Sequence, residues 1–340
     1  MRIAIDVMGG DYAPGAILDG AFASLKSLDP GDELLLVGKS QVIRNAMATA
    51  AVSDPRITVI DAPDEIGMGE QPVEAVRSKP HSSIVVMAEL AHRRAERSTD
   101  VMLSAGSTGA CVCAAQMSLR RLPGVHRPGI AVILPTFGGP VVLCDVGANP
   151  DPRPAHLAQY GVMGEVYARE ILGIANPRVA MMNIGGEEGK GTGLVKSTRD
   201  LLKATPGLNY VGFVEGRSLF EHAADVVVTD GFVGNVVIKL AEGLASGLFR
   251  TIGREIAAID PELAVRFGPV QKRIYALHDY HEHGGAPLLG VNGTCIICHG
   301  SSEARTITNA ILKSRNMVSN GLNQALVDRI AEVDKKAGGK

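Results

Sequence analysis

The sequence predicts an α/β protein of three layers, with a mostly parallel sheet between two sets of helices. Three observations point there. Short apolar runs alternate with helical stretches along the chain, giving a βαβ rhythm. Several runs are apolar at every position, as in Val141-Val142-Leu143-Cys144 and Val226-Val227-Val228. Strands covered by helices on both faces read this way. Five of the runs end in loops of small polar residues, the pattern of a strand feeding a helix.

The chain opens on a strand, Arg2-Ile3-Ala4-Ile5-Asp6-Val7. Further strands are expected at 33–37, 56–60, 100–104, 130–134, 141–145, 178–183, 209–214, 225–229 and 291–298. Helices are expected near 15–28, 40–51, 82–96, 108–120, 154–171, 193–203, 232–258 and 302–316. Residues 232–283 break the rhythm as a mostly helical excursion. Interruptions are expected at Asp260-Pro261 and Phe267-Gly268-Pro269, because Pro cannot continue a helix interior. No repeat or linker divides the chain, so residues 1–335 read as one elaborated α/β/α catalytic unit. Gly338-Gly339-Lys340 reads as a frayed tail.

Composition narrows the function classes. With 340 residues and 46% hydrophobic content the chain can build a large core. A formal net charge of -2 argues against a dedicated nucleic-acid binder. No uninterrupted run of 18 apolar residues occurs, so a spanning helix is not expected. The start is a strand and not a signal peptide. Five Cys and no export signal suit reduced thiols in a cytosol.

The five loops carry the functional signal. They are Asp6-Val7-Met8-Gly9-Gly10-Asp11, Ser104-Ala105-Gly106-Ser107-Thr108-Gly109-Ala110, Asp145-Val146-Gly147-Ala148-Asn149, Asn183 to Gly191, and Asp230-Gly231-Phe232-Val233-Gly234-Asn235. In a parallel sheet the strand C-termini share one edge, where ligands bind. Gly exposes backbone N–H groups, and a following helix adds unpaired N–H groups and a positive dipole end. Ser107 and Thr108 stand where a helix would start, and Lys190 adds a full positive charge. The composition suits an anion, although Ser, Thr and Asn at such places equally serve as helix caps.

Sharper motifs fail. Only three residues separate Gly185 from Gly189, and Gly191 stands where a Walker loop needs Ser or Thr. No G-x-G-x-x-G follows the first strand, and no G-x-S-x-G elbow occurs. Cys295-Ile296-Ile297-Cys298-His299 matches a haem-attachment pattern, but residues three apart on a strand face opposite sides. The two thiols therefore read as buried core. His299, followed by Gly300-Ser301-Ser302 at a strand-to-helix junction, reads equally as a functional or an orienting histidine. Asp6, Asp11, Asp145 and Asp230 all lie at strand ends, but no supporting His or Cys set accompanies them, so no metal and no cofactor are expected.

Taken in order, these segments resemble the bacterial phosphate acyltransferases, the acyl-ACP:phosphate transacylases. The resemblance runs from Ile5–Asp11 with Pro14, through Asp61-Ala62-Pro63 and Ile66-Gly67-Met68, to the four later loops. It closes with Gly284–Gly290, His299-Gly300-Ser301-Ser302 and Asn309-Ala310-Ile311. Ser107 stands where the family often has Asn, and Gly186 replaces a usual Glu. The resemblance implies a fold like that of phosphate acetyltransferase and isocitrate dehydrogenase. It implies transfer of a long-chain fatty acyl group from acyl-carrier protein to inorganic phosphate, for phosphatidic acid synthesis. It also implies a homodimer, cytoplasmic and attached to the inner face of the cell membrane, handing its product to a membrane acyltransferase.

On this reading Lys190, Asp230, Asn235 and His299 carry the chemistry. Lys190 meets phosphate and transition-state charge, and Asp230 orients Lys190 or accepts a proton. Asn235, Asn149 and His299 position phosphate or the thioester. Asp6, Gly9, Gly10, Asp11, Ser104, Gly106, Ser107, Thr108, Gly109, Asn183, Gly185, Gly234, Gly300 and Ser301 shape the substrate site. An acidic carrier protein needs a basic landing surface, either Arg93, Arg94 and Arg97 or Arg120, Arg121 and Arg127. Apolar residues beside Arg and Lys in 244–273 suit an interfacial helix or a dimer seam. The alternatives are a CoA-dependent short-chain phosphate acyltransferase, an NAD-dependent decarboxylating dehydrogenase on the same scaffold, and a non-catalytic membrane scaffold for lipid enzymes.

Overall fold

The computed structural model describes residues 1–92, 98–278 and 284–338. The first part winds β1 (Arg2–Asp6), α1 (Gly15–Ser24), β2 (Glu33–Gly38), α2 (Ser40–Thr49), β3 (Ile57–Asp61), α3 (Pro72–Ser78), α4 (Ser83–Leu90), β4 (Val101–Ser104) and α5 (Thr108–Ser118). A hairpin of β5 (Gly129–Thr136) and β6 (Gly139–Cys144) leads to α6 (Pro154–Leu172), β7 (Val179–Met182), α7 (Gly193–Ala204), β8 (Tyr210–Val214) and β9 (Val226–Val228). The excursion is α8 (Gly231–Ile259) and α9 (Pro261–His278). The chain returns through β10 (Ala286–Leu289), β11 (Thr294–Ile297), α10 (Ala304–Ser319) and α11 (Leu322–Gly338).

The eleven strands among the described residues form one sheet, in the order β3-β2-β1-β4-β11-β10-β5-β6-β9-β7-β8. The first five are mutually parallel, and so are the last four. Between them lie three antiparallel steps, β11 to β10, β10 to β5 and β5 to β6. Three reversals are an odd number, so the two halves run in opposite directions. This corrects the expectation that every strand end lies on one edge. Register brings the ends together all the same. Ile297 pairs with Ala286, Leu288 with Ile130, and Ala131 with Cys144. The C-terminal ends of β11 and β6 therefore meet within two residues of each other along β10, and two opposed rims face one cleft.

The sheet is buried on both faces. Ile3, Ile5, Leu34 and Leu36 face a core with α1, α6, α10 and α11, while Ala4, Leu35 and Val37 face one with α3, α4 and α5. This alternation is the period-two pleat of a covered strand. Cys295 and Cys298 fall in the two different cores, as their spacing on a strand requires, and Cys111 Sγ lies 3.9 Å from Cys295 Sγ.

Elements the sequence reading omitted are α3, β10 and α11. β10 carries Pro287, which lacks the N–H a central strand normally needs. Pro287 pairs with β11, whereas β5 pairs with Leu288 and Leu289, so its missing donor leaves the β5 ladder intact. In the excursion the turn falls at Asp260, whose Oδ1 accepts from the N–H groups of Glu262 and Leu263 at 2.9 and 3.0 Å. No break occurs at Phe267-Gly268-Pro269, because α9 runs through Pro269. The carbonyl that loses its amide partner there belongs to Val265, which is exposed and can bond water. By length and composition α8 is apolar enough to cross a membrane, which the lack of one uninterrupted apolar run concealed. Residues 279–283 of the expected excursion, and Arg93, Arg94 and Arg97, lie outside the described residues.

Candidate active site

The first rim is built by the loops after β1, β4 and β11. Asp6 closes β1 and is fully buried. Its Oδ2 accepts from Ser104 Oγ at 2.7 Å, its Oδ1 accepts from Met8 N–H at 3.1 Å, and Ser104 Oγ accepts from Gly106 N–H at 3.0 Å. Burial holds the Asp6 carboxyl above its ordinary range, against hydrogen bonds from Ser83, Ser104, Met8 and Gly9. A Cβ on Gly9 would lie 2.3 Å from Asp6 Oδ2 and 2.7 Å from Gly106 N, so only glycine lets the two loops touch. Gly10 packs on Ala105, and Asp11 N–H donates to Gly300 O at 2.7 Å. Asp6, Ser104, Gly9 and Gly300 thus spend their polar groups on tying three loops together.

The second rim follows β6, β7 and β9. Asp145 is its anchor. The N–H groups of Ile130, Gly147, Ala148 and Asn149 donate to its carboxylate at 2.9, 3.2, 3.0 and 2.7 Å. Burial pushes this carboxyl up, and the four N–H groups pull it back. Asn149, expected to hold substrate, donates through Nδ2 to Pro128 O at 2.7 Å and to Tyr160 Oη at 2.6 Å. Its amide nitrogen is committed to the fold. Asp230 caps α8, its Oδ1 accepting from Val233 N–H at 2.8 Å. Among the described residues no ion pair joins it to Lys190. Asn183 Nδ2 donates to Gly185 O at 3.0 Å, and the Lys190 stem folds over Gly185 while the side chain stays exposed. Lys190 lies in the loop between β7 and α7, and β7 stands two places from β6 in the sheet.

The rims meet at a cavity of about 100 Å³. Of the expected residues, Thr108, Asn235 and His299 line it. Thr108 opens α5, where Ser107 Oγ caps the helix by accepting from Ala110 N–H at 3.4 Å, leaving further N–H groups and the positive dipole end. Gly109 serves packing, since a Cβ there would lie 2.5 Å from Pro72 of α3. Asn235 stands in the first turn of α8, its Nδ2 donating to Val146 O at 3.3 Å. His299 follows β11. Ser301 N–H donates to its Nδ1 at 3.3 Å, and Ser301 Oγ lies 2.7 Å from the same atom. A backbone N–H can only donate, so Nδ1 accepts and the neutral ring carries its proton on Nε2. Ser301 thus orients the ring.

Two wall residues escaped the sequence reading. Lys239 lies one helical turn after Asn235 on α8 and brings a cation to the cavity. Thr306 adds a hydroxyl from α10. The i, i+4 step from Asn235 was the available signal for Lys239. Among the described residues no group of three or more His, Cys, Asp or Glu is placed to hold a metal ion. Asp6 and Asp145, grouped in the sequence, anchor opposite rims.

Comparison with known proteins identifies the lineage. A family profile described as "Fatty acid synthesis protein" matches residues 1–325. The chain is 47% identical over 324 residues to a protein named phosphate acyltransferase from Desulfitobacterium hafniense, covering 94% of this chain and 95% of that one. The chain belongs to the phosphate acyltransferase family. A relative of the same name from Pelotomaculum thermopropionicum is 44% identical over 341 residues, covering 100% of this chain and 98% of that one. A phosphotransacetylase from Streptococcus pyogenes superposes with a TM-score of 0.62 at 18% identity, covering 94% of both chains. A branched-chain phosphotransacylase from Enterococcus faecalis gives 0.57 at 13%, covering 93% of this chain and 99% of that one. At these identities the two structures establish a shared fold, the α/β/α architecture expected from the sequence.

Proposed function

We propose that this phosphate acyltransferase moves a long-chain fatty acyl group from acyl-carrier protein to inorganic phosphate, making an acyl phosphate for phosphatidic acid synthesis. The observation that carries the reading is the small cavity between two rims, where Thr108, Asn235, Lys239 and His299 stand among apolar wall residues such as Ile130, Ile238 and Ile297. A volume of about 100 Å³ suits a small oxyanion, being room for about three waters at 30 Å³ each.

The α5 N-terminus and Lys239 hold phosphate beside the thioester. Such positioning removes up to about 7–11 kcal/mol of the barrier in well-oriented cases. One phosphate oxygen attacks the carbonyl carbon. The carbonyl oxygen takes up negative charge and accepts from His299 Nε2–H or the Asn235 amide. The C–S bond then breaks, the thiolate leaves and takes a proton, and the acyl phosphate remains. No residue need carry the acyl group. Lys190, exposed and without an ion pair among the described residues, is the further cation this rim offers the phosphate.

The test is direct. Purified protein, hexadecanoyl-acyl-carrier protein and phosphate should yield an acyl phosphate, trapped by hydroxylamine as the hydroxamate. Activity confined to short acyl-CoA would replace the donor, and no acyl phosphate from any thioester would reject the reading. Lys190→Ala should lower kcat about 10-fold or more with an unchanged unfolding temperature, in line with loss of one charge-stabilising group. Full activity in that variant would remove Lys190 from the mechanism.

Arg120, Arg121 and Arg127 lie past the far end of α5, about 16 Å along the helix from Thr108. They suit a landing surface for the carrier protein less well than cations beside the cavity. In the excursion, Phe232, Val236 and Leu240 are exposed at i, i+4 spacing, a face suited to a homodimer seam. Ile259, Leu263 and Val265 cluster at the α8–α9 turn near Arg254 and Arg266, a tip suited to the inner membrane surface, where a membrane acyltransferase would take the product. Ile259→Glu with Val265→Glu should abolish co-sedimentation with anionic vesicles while the solution mass stays constant. Vesicle binding that survives this change would place the membrane contact elsewhere.

A further inference from the structure

The small cavity cannot hold a long acyl chain as well as phosphate, and a second space adjoins it. A groove of about 480 Å³ runs between the excursion and the tip of the β5–β6 hairpin, walled by Leu134, Phe137, Phe220, Ala245, Phe249 and Ile274. Its volume falls in the range of small-molecule sites, roughly 300–1,000 Å³. Ile238 belongs to the walls of both spaces, so the groove lies beside the cavity along α8. On α8 the groove-facing positions Ile238, Ala241, Ala245 and Leu248 recur at helical spacing. The two alanines are what leaves the groove open along its length. From Ile238 to Phe249 the helix rises about 16 Å. A tetrahedral chain of 1.52 Å bonds advances about 1.25 Å per bond, so this length matches about thirteen carbon–carbon bonds.

We infer that this groove receives the hydrocarbon chain of the acyl donor and sets its preferred length, with the carbonyl at Ile238 beside Asn235 and His299 and the methyl end near Phe249 and Ile274. The inference rests on the acyl-transfer reading above. Its occupant is argued from adjacency: an apolar groove beside a phosphate-sized cavity that carries Thr108, Asn235, Lys239 and His299 fits a ligand with a polar reacting end and a long apolar tail. Two charged residues, Arg217 and Glu242, also line the groove, and Arg217 pairs with Glu215 at 3.2 Å.

The experiment is a size series, Ala245→Val, Ala245→Leu and Ala245→Trp, assayed for kcat/KM with acyl-carrier-protein thioesters of four to sixteen carbons. The preferred donor should shorten stepwise as the side chain grows. Ala245→Trp should lower kcat/KM for the sixteen-carbon donor about tenfold or more and leave the four-carbon donor unchanged, which also shows that the variant folds. A uniform loss across all lengths, or no change in the profile, overturns the inference. So does a changed solution mass with an unchanged profile, which would make the groove a subunit seam. Wild-type protein that acts on no thioester would instead reject the acyl-transfer reading itself.

Discussion

Replacing His299 by alanine should lower kcat by about 10²–10³-fold and leave the unfolding temperature unchanged. The magnitude is that of losing one preorganised donor to a developing oxyanion, about 2.7–4 kcal/mol. Ser301 N–H donates to Nδ1 and Ser301 Oγ lies beside the same atom, which sets the orientation of the ring at the cavity wall. Stability is spared because the residue is exposed, while the neighbouring backbone is held independently by Cys298 N–H donating to Ser104 O at 2.8 Å. A companion Ser301→Ala variant keeps the imidazole but frees its orientation, so its loss of kcat should be smaller. Hydroxamate assays beside thermal unfolding of both variants check the pair. An His299→Ala enzyme with wild-type kcat would show that the ring only lines the cavity.

Gly234→Ala should destabilise the protein by about 3 kcal/mol or more and reduce activity with it. Helix propensity alone argues the reverse, because alanine in place of glycine within a helix is worth about 1 kcal/mol. The local contact decides. A Cβ on Gly234 would lie 2.0 Å from Asp145 O and 3.0 Å from Thr229 Cγ2. Asp145 cannot retreat, since four backbone N–H groups grip its carboxylate. The first turn of α8 must therefore lift off the β6 loop and carry Asn235 away from the cavity. Gly243, on the same helix with nothing within 4 Å of its Cβ position, is the control and should gain stability on substitution by alanine. A Gly234→Ala variant as stable as the parent would mean that the two loops can separate at little cost.

The two glycines show how far the sequence could be read. Asp230 to Asn235 stood out as a glycine-bearing loop, and the structure places it against the cleft. The reason for glycine at 231 and 234 is the approach of another loop 82 to 89 residues earlier in the chain, where Asn149 and Asp145 leave no room for a side chain. Asp230 likewise carried a mechanistic expectation. It caps its own helix, a local task that the Asp before an apolar helical run already signalled. α11 went unread although Leu322, Leu326, Ile330 and Val333 repeat at helical spacing, and β10 was masked by Pro287 and the flanking glycines.

Most strand and helix positions, the division of Cys295 and Cys298 between two cores, and the glycine-bearing loops at the strand ends were determined by the sequence alone. Each follows from the period of apolar residues or from the conformational range of a few residue types, which are local properties. The opposed half-sheets were decided only in three dimensions. So were the commitment of Asn149 to Tyr160 and Pro128, the arrival of Lys239 at the cavity, and the groove that joins it at Ile238. These depend on which distant strands pair and in which direction, and hydrogen bonding between backbones leaves no side-chain pattern from which that choice can be read.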